Sequence, residues 1–165
     1  MNIFKVKDYA EIPTFATEGS ACFDVKACLT NGERLKGYNA WNKQIPILVR
    51  KNQTIQIPPE TRVLIPTGLI FDVPDNHVLE MFIRSSVATK KGLILCNSVG
   101  VIDSDYVEES FIAVLNISDS LVTVEHGERL AQCRLEETLQ YELKEVKKAP
   151  AQKTSRNGGF GSTGT

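Results

Sequence analysis

The stretch RVLIPTGLIFDVPDNHVLEMFI, residues 62–83, decides the class of fold. It contains three short apolar runs, at residues 62–65, 68–73 and 78–83, separated by turn residues that include Pro66 and Pro74-Asp75-Asn76. β-Branched and aromatic residues favour strands, whereas Pro, Asp and Asn favour turns. Short strands at this spacing are typical of a β-sandwich or a β-barrel.

The same pattern continues along most of the chain. Further strands are predicted at residues 21–28, 54–57, 93–96, 99–102, 111–117, 121–124 and 129–135. A helical period is nearly absent, and residues 86–91 allow one helical turn. Segment 136–148 has a composition that favours helix, but its apolar residues Leu139, Tyr141 and Leu143 alternate. We predict a final strand there, and an all-β fold for the whole chain.

Length and composition indicate a single globular domain without a strong charge bias. The chain has 165 residues, with 19 Lys and Arg against 20 Asp and Glu, for a net charge of -1. This balance does not favour nucleic-acid binding. No apolar run resembles a signal peptide or a membrane span, so we expect an intracellular protein (in the host cytoplasm if it is viral) with no membrane partner.

The cysteines are expected to be reduced and buried. The four of them, Cys22, Cys28, Cys96 and Cys133, are widely spaced and form no CxxC pair, and the chain has only two histidines. This pattern argues against a structural zinc site and is ordinary for a cytosolic protein.

Two segments stand apart from the strand pattern. Residues 31–50 begin with polar residues and include Trp41, which indicates a long loop or an inserted hairpin. Residues 149–165 contain Pro150, Ser155, four glycines and few apolar residues. We therefore predict a β-domain over residues 1–148 and a flexible C-terminal arm over residues 149–165.

The segment NSVGVIDSDYVEE, residues 97–109, contains the candidate catalytic carboxylate. Asp103 and Asp105 follow a predicted strand and face a turn. A carboxylate in a dry pocket can orient and deprotonate a water, while attack on a phosphoanhydride also needs the phosphate charge neutralised, usually by Mg²⁺. Taken alone, Asp-Ser-Asp is also ordinary turn chemistry.

Two other segments have residues that suit a nucleotide. Arg84-Ser85-Ser86 combines a cation with hydroxyl and backbone N–H donors, although such a triplet is common on surfaces. The arm contains the single aromatic residue Phe160 among glycines, followed by Ser162 and Thr163. Glycine-rich backbone can wrap phosphates and an aromatic ring can stack on a base, but a low-complexity linker has the same composition.

Five segments, in order and spacing, resemble the five motifs of the homotrimeric dUTPase family. They are 21–27 (ACFDVKA), 84–92 (RSSVATKKG), 100–106 (GVIDSDY), 127–132 (GERLAQ) and 159–164 (GFGSTG). The third and fifth are highly specific, and the first and fourth are weak by themselves. The resemblance implies a jelly-roll-like β-barrel or sandwich of the β-clip kind.

The resemblance also implies an activity: hydrolysis of dUTP to dUMP and pyrophosphate with Mg²⁺ on the triphosphate, which keeps uracil out of DNA and supplies dUMP for dTTP synthesis. Asp103 matches the carboxylate that positions the attacking water. Tyr106 matches the aromatic residue that packs on the deoxyribose and leaves no room for a 2′-hydroxyl. The uracil slot corresponds to Asn97 and the hairpin that follows, including Gly100, Val101 and Ile102.

The remaining family contacts concern the phosphates. Arg84, Ser85, Ser86 and Gln132 match phosphate-binding residues, and Asp24 resembles a residue near the metal-bound waters. In the arm, Phe160 and Gly161 match the part that covers the uracil, and Arg156, Ser162 and Thr163 match the part that holds the γ-phosphate. Sites of the family lie between subunits, so the resemblance implies a homotrimer whose arm closes a site of another chain.

The sequence departs from the family pattern in four places. Cys22 stands where the first motif usually has glycine, and Glu108 replaces a glycine two residues after Tyr106. Arg156 lies one residue closer to Phe160 than is usual, and residues 31–50 form an insertion that could be decoration, a subunit contact or a partner-binding element.

Three rival interpretations have different consequences. A dCTP deaminase of the same superfamily would carry a catalytic glutamate where this chain has Ala113 and would lack the Gly-Phe-Gly-Ser-Thr-Gly arm. A binding or regulatory module would use the insertion as its interface, with or without catalysis. A structural jelly-roll protein, such as a coat subunit, would leave the motifs unexplained.

Overall fold

The computed structural model of the protein describes residues 1–155 and 158. These residues form the following strands and helix in chain order: β1 (Asn2–Lys5), β2 (Phe23–Lys26), β3 (Arg34–Tyr38), β4 (Gln44–Leu48), β5 (Thr54–Ile57), β6 (Arg62–Pro66), β7 (Leu69–Asp72), β8 (His77–Ile83), α1 (Ser85–Lys91), β9 (Leu93–Leu95), β10 (Gly100–Asp103), β11 (Phe111–Asn116), β12 (Val122–Glu125) and β13 (Arg129–Glu137). The seven-residue α1 is the one helix in the described part of the chain, and it is too short to cross a membrane.

The strands form four antiparallel sheets. Their orders are β10-β8-β13-β2, β4-β3-β6-β11-β9, β1-β7 and β12-β5. The all-β, jelly-roll-like prediction is confirmed, because every strand pairing is antiparallel and the two larger sheets enclose one apolar core.

Alternation along the strands explains why these residues form sheets with one buried face. In β12, for example, Val122 and Val124 are buried while Thr123 and Glu125 are exposed. A similar period-two pattern in most of the other strands points their β-branched and leucine side chains into the core, where each fully buried aliphatic side chain contributes roughly 1.5–3 kcal/mol. The core is therefore the common interior of the sheets.

Strand β8 is one of the two interior strands of the sheet that positions the candidate site. On one side Gly100 and Asp103 of β10 lie opposite Met81 and Val78, and on the other side Cys133 of β13 also lies opposite Met81. Strand β2 continues this sheet beyond β13. Because β8 pairs with both β10 and β13, residues that are far apart in the sequence lie side by side in this sheet.

The turn between β6 and β7 needs glycine at its centre. Gly68 has φ +71°, and a Cβ atom there would lie 2.7 Å from both Ala10 Cβ and Cys28 Sγ. An L-amino acid side chain would meet both an unfavourable backbone conformation and occupied space. The conformation of this turn consequently depends on glycine at position 68.

Segment 31–50 contains a β-hairpin, one of the two forms that the sequence allowed. Strands β3 and β4 pair with Arg34 opposite Leu48, and β3 joins the five-stranded sheet through Gly37 opposite Val63. The hairpin turn exposes Trp41, whose side chain is 79% accessible. The β3–β4 hairpin thus lies at the edge of the five-stranded sheet.

Some sequence-based predictions were wrong. Strand β13 ends at Glu137, and residues 138–148 form no strand, so the predicted final strand is absent from that segment. Its alternating side chains Leu139, Tyr141 and Leu143 are instead strongly exposed. Strand β1 was not predicted, because a four-residue edge strand with one partly buried side chain has too weak a pattern. The helix α1 has two turns where one was expected.

The cysteine prediction holds for two residues of four. All four thiols are free, and Cys28 and Cys133 are buried, but Cys22 is partly accessible and Cys96 is exposed. Burial raises the pKa of the Cys133 thiol, and the neighbouring Cys22 adds to the rise. Cys133 is therefore a neutral core residue at ordinary pH.

Candidate active site

A carboxylate between two arginines forms the first part of the candidate site. Asp24 of β2 accepts from Arg84 Nε at 2.9 Å and from Arg129 Nη1 at 3.0 Å, and Arg84 Nη1 donates to the backbone oxygen of Arg129. The Asp24 side chain is only 17% accessible. Because one carboxylate cannot neutralise two guanidinium groups, the cluster keeps a net positive charge that suits an anion.

The start of α1 adds donors next to this cluster. Arg84 directly precedes the helix in an extended conformation, and the backbone N–H groups of Val87 and Ala88 both donate to its oxygen. The N–H groups of Ser85 and Ser86 precede these first helical bonds, so the helix itself does not use them. Arg84, Ser86, Lys90 and Arg129 line a surface cavity of about 340 Å³, together with the ion pair of Lys91 and Glu128.

Gln132 belongs to the same region through the register of β13. It lies opposite Phe82 of β8 and opposite Asp24 of β2. The side chains of Ala131 and Cys133 on either side are buried, which leaves the partly exposed Gln132 on the other face. The sequence motifs around 24, 84 and 132 therefore meet in one place, which is called the phosphate cluster below and consists of Asp24, Arg84, Ser85, Ser86, Arg129 and Gln132.

Residues 97–106, which comprise the turn after β9, strand β10 and the turn after it, form the second part of the site. They are called the nucleoside hairpin below, after the family segment that they match, although β10 pairs with β8 and not with β9. Both turns are tight, since Val99 N donates to Asn97 O at 2.7 Å and Tyr106 N donates to Asp103 O at 3.2 Å. Gly100 lies against β8, and a Cβ atom there would be 3.0 Å from Met81 Cβ.

A cavity of about 310 Å³ lies beside the nucleoside hairpin. Its lining includes the predicted residues Asn97, Gly100, Val101, Ile102 and Tyr106. It also includes Leu64, Met81, Ser110 and Phe111, which no sequence motif singled out. Ser110 Oγ is buried without a hydrogen-bond partner among the described residues. The walls of this cavity come from four different strands and loops, so no local pattern could reveal them.

The two parts are far apart within one chain. Asp103 lies opposite Val78, whereas Arg84 follows the other end of β8. The six steps from residue 78 to residue 84 span about 20 Å, since strand residues advance about 3.3 Å each. One chain therefore groups the predicted residues into two half-sites, one containing Asp103 and one containing Arg84.

Two of the departures from the family pattern cause no local conflict. Cys22 is not among the described residues with positive φ, so the cysteine fits where glycine is usual. Glu108 is exposed and makes no hydrogen bond or ion pair with the described part of the chain. The predicted contacts of Arg156, Phe160, Gly161, Ser162 and Thr163 lie outside the described residues.

The described residues do not form a ready metal cage. No group of three or more His, Cys, Asp or Glu side chains among them could hold a metal ion. The carboxylate within the phosphate cluster, Asp24, already binds an arginine with each oxygen. A Mg²⁺ ion at this place would therefore take most of its ligands from a bound triphosphate and from water, as Mg²⁺ commonly does.

The protein is all-β and its described residues bring the predicted site residues together in two groups, and comparison with known proteins identifies its family. A family model described as dUTPase matches residues 47–164. The deoxyuridine 5'-triphosphate nucleotidohydrolase of Leptospira interrogans is 35% identical over 167 residues, covering 99% of both chains. That of Acinetobacter baylyi is 37% identical over 155 residues, covering 93% of this chain and 87% of its own.

A solved structure agrees with these sequence relatives. The dUTPase from Streptococcus mutans has a TM-score of 0.67 and 28% identity, and the match covers 86% of this chain and 99% of that chain. The chain belongs to the dUTPase family, whose members are hydrolases. The family resemblance drawn from the five sequence motifs is thus confirmed.

Proposed function

We propose that this protein is a dUTP diphosphatase, which hydrolyses dUTP to dUMP and pyrophosphate. Its relatives in Leptospira interrogans and Acinetobacter baylyi are named deoxyuridine 5'-triphosphate nucleotidohydrolases, and they match nearly the whole chain. The observation that carries the proposal is the pairing of a cationic cluster suited to phosphates with a separate cavity next to an exposed carboxylate. In a cell this reaction keeps uracil out of DNA and supplies dUMP.

The nucleoside hairpin binds the uracil and the sugar in this proposal. Main-chain groups of residues 100–102 and the Asn97 amide pair with the edge of the base, and Gly100 allows the backbone to lie close to β8. A base with the wrong donors would leave a buried group unpaired, at a loss of about 1–3 kcal/mol. Tyr106 forms the wall against which the deoxyribose packs.

The phosphate cluster binds the triphosphate. The guanidinium groups of Arg84 and Arg129 bind phosphate oxygens, with Ser85, Ser86 and Gln132 as neutral donors. Asp24 keeps the two guanidinium groups in place between substrates, because it is hydrogen-bonded to both. Lys90, which lines the same cavity, adds positive charge.

Asp103 supplies the chemical step. Its carboxylate orients a water and accepts its proton, the water oxygen bonds to the α-phosphorus, and the bond from that phosphorus to the bridging oxygen breaks. Pyrophosphate leaves with the electron pair of that bond. Mg²⁺ bound to the phosphates neutralises part of the charge that develops on them. The remaining work of the protein is to hold the reacting groups in line and to exclude other water.

A shared site follows from the separation of the half-sites. Asp103 and Arg84 of one chain are about 20 Å apart along β8, too far to act on the same α-phosphate and its neighbours. We infer that the Asp103 half of one chain joins the Arg84 half of another in a homotrimer. Exposed apolar surface supports this assembly: Phe111 is 41% accessible on the outer face of the five-stranded sheet, and Leu139 is 89% accessible after β13.

The arm over residues 149–165 completes the site in this proposal. Its motif matches the family segment in which Phe160 and Gly161 cover the base and Arg156, Ser162 and Thr163 hold the γ-phosphate. We propose that it closes over the nucleotide from a third chain, which would exclude water from the reacting phosphate. The support for this step is the sequence motif alone.

A substrate panel tests the proposed activity. Purified protein is incubated with dUTP, dCTP, dTTP and UTP in the presence of Mg²⁺, and pyrophosphate and nucleotide products are measured. We expect selective conversion of dUTP to dUMP, and loss of about 10³-fold or more in kcat for Asp103→Asn. Deamination of dCTP, or an Asp103→Asn variant as active as the wild type, contradicts the proposal.

Mixing two inactive variants tests the shared site. Asp103→Asn and Arg84→Ala proteins are each expected to be nearly inactive, but unfolding and refolding them together should restore activity. In a random one-to-one mixture roughly a quarter of the sites combine two intact halves. No recovery in the mixture, with both variants folded and trimeric, would show that each site lies within one chain.

The inserted hairpin supports a second candidate function, binding of a partner or regulator in addition to catalysis. Residues 31–50 contain four cations and one acid, in a chain with a net charge of -1, and Glu33 is paired with Lys7. Trp41 is 79% accessible at the hairpin turn. Exposed tryptophan beside positive charge is common in binding surfaces.

Deletion of the hairpin separates the two candidate functions. Replacing residues 35–47 with a short Gly-Ser linker should leave dUTP turnover intact if the hairpin serves only partners. Trp41→Ala provides a milder variant with the hairpin in place. If the wild-type, Trp41→Ala and deletion proteins capture the same partners in equal amounts, the hairpin does not bind partners and the second candidate function is wrong.

A further inference from the structure

A polar link joins the nucleoside hairpin to the turn between β6 and β7. Gly68 N donates to Glu109 Oε1 at 2.7 Å, and this contact is partly buried. A left-handed glycine turn often leaves an N–H group pointing away from the strand pairing, and the Glu109 carboxylate satisfies the one at Gly68. A hydrogen bond to a charged acceptor is stronger than one between neutral groups.

The turn is a rigid anchor for this carboxylate. Buried Thr67 donates to Ser110 O twice, from Oγ1 at 2.7 Å and from N at 3.2 Å. Ser110 N in turn donates to Leu69 O at 2.9 Å. The space around Gly68 is filled by Ala10 and Cys28, so the turn has little freedom to move.

The main chain of Glu109 holds the other end of the link. Tyr106 donates through its hydroxyl to Glu109 O at 3.0 Å. Tyr106 N donates to Asp103 O at 3.2 Å, so the same short segment includes the candidate catalytic carboxylate. Contacts therefore run from the fixed turn through Glu109 to the Tyr106 ring and on to Asp103.

We propose that Glu109 is a positioning residue that sets the sugar specificity of the site. Its carboxylate accepts the hydrogen bond from Gly68 N and thereby fixes the Glu109 peptide, whose carbonyl accepts the hydrogen bond from the Tyr106 hydroxyl. A Tyr106 ring held in this way moves less to make room for the 2′-hydroxyl of a ribose. This inference rests on the proposed function, in which Tyr106 packs on the deoxyribose. Glu108 offers a contrast, since it has the same charge but no hydrogen bond or ion pair in the described part of the chain.

Four variants test the proposal by the ratio of kcat/KM for dUTP to kcat/KM for UTP. Glu109→Ala should lower this ratio about tenfold, mainly through a higher kcat/KM for UTP. Glu109→Gln keeps an oxygen acceptor for Gly68 N and should retain most of the ratio. Glu108→Ala is the matched control and should leave the ratio unchanged. Tyr106→Phe removes only the hydroxyl and should lower the ratio as Glu109→Ala does.

A merely structural role predicts a different result. Glu109→Ala would then lower the thermal midpoint and reduce turnover of dUTP and UTP by the same factor, with the ratio unchanged, and this outcome overturns the proposal. If Glu109→Ala does not fold, the Tyr106→Phe ratio decides, and a wild-type value there also overturns it. Failure of the proposed function is distinguishable, because the wild-type protein would then not convert dUTP at all.

The double variant Glu109→Ala with Tyr106→Phe supplies the final check. If both residues act through one hydrogen bond, the two effects on the ratio should not multiply, and the double variant should resemble either single variant. Effects that multiply fully would show that Glu109 and Tyr106 act separately, contrary to the proposal.

Discussion

The two arginines on Asp24 lead to a prediction whose size follows from the geometry. Replacing Asp24 with alanine removes the acceptor for Arg84 Nε at 2.9 Å and for Arg129 Nη1 at 3.0 Å. Arg129 is half exposed, so its pair contributes only about 0.5 kcal/mol. Arg84 is 26% accessible, and its charge-assisted bond is worth about 1.5 kcal/mol.

The sum of about 2 kcal/mol predicts measurable losses in both activity and stability. If Arg84 loses its orientation, kcat/KM for dUTP should fall about 30-fold, since 1.36 kcal/mol corresponds to a factor of ten. The thermal midpoint should fall by about 4–8 °C for a chain of this size. Asp24→Asn keeps one acceptor oxygen and should lie between alanine and the wild type.

Steady-state kinetics and thermal unfolding of the same preparations provide the assay. Asp72→Asn is the matched control, because Asp72 accepts a bond from Asn2 on an exposed strand pair away from the cluster. Higher ionic strength should shrink the difference between Asp24→Ala and wild type, since exposed charges are screened. An Asp24→Ala protein with wild-type kcat/KM and midpoint would refute the view that Asp24 orients Arg84.

Four further predictions concern the core and the thiols. Gly68→Ala should lower the free energy of unfolding by about 3 kcal/mol or more in denaturant titration, because its Cβ would lie 2.7 Å from Ala10 Cβ and Cys28 Sγ at a φ of +71°. Ser110→Ala should be neutral or stabilise by up to about 1 kcal/mol in the same assay, since the buried Oγ has no hydrogen-bond partner in the described chain; a clear loss would reveal a partner. Mass spectrometry after brief alkylation should find Cys96 modified before Cys133, whose raised pKa keeps it a thiol. Because the folded-state pKa of Cys133 is raised, its contribution to stability is present below about pH 8.5 and should be lost as pH rises above that value, and Cys133→Ala should flatten this decline.

Local sequence patterns predicted most of the strands, because period-two alternation reports directly which face is buried. Strand β5 at Thr54–Ile57 coincides with its prediction, and β8 differs by one residue. The alternation of Leu139, Tyr141 and Leu143 predicted a final strand that the structure does not contain. Alternation shows that a segment suits a sheet, but it does not show that the same chain offers a partner strand.

The site was predictable only where its residues lie in compact motifs. Asp103 and Arg84 stand in such motifs, but the pairing of Arg129 with Asp24 joins positions 105 residues apart. The contact of Glu109 with Gly68 is likewise nonlocal, at 41 residues. Such pairs depend on strand register, which no short stretch of sequence specifies.

The length of strand β8 also determines a distance within the candidate site. Its length fixes the spacing between the Val78 level, where Asp103 lies, and Arg84 at the far end. If subunits share their sites, adding or removing two residues in β8 would change the distance between the Asp103 half-site and the Arg84 half-site of each chain by about 7 Å. Every shared site of the assembly would then be misaligned. We therefore expect changes in chain length to be tolerated at the sheet edge formed by the β3–β4 hairpin, but not in β8, which is an interior strand.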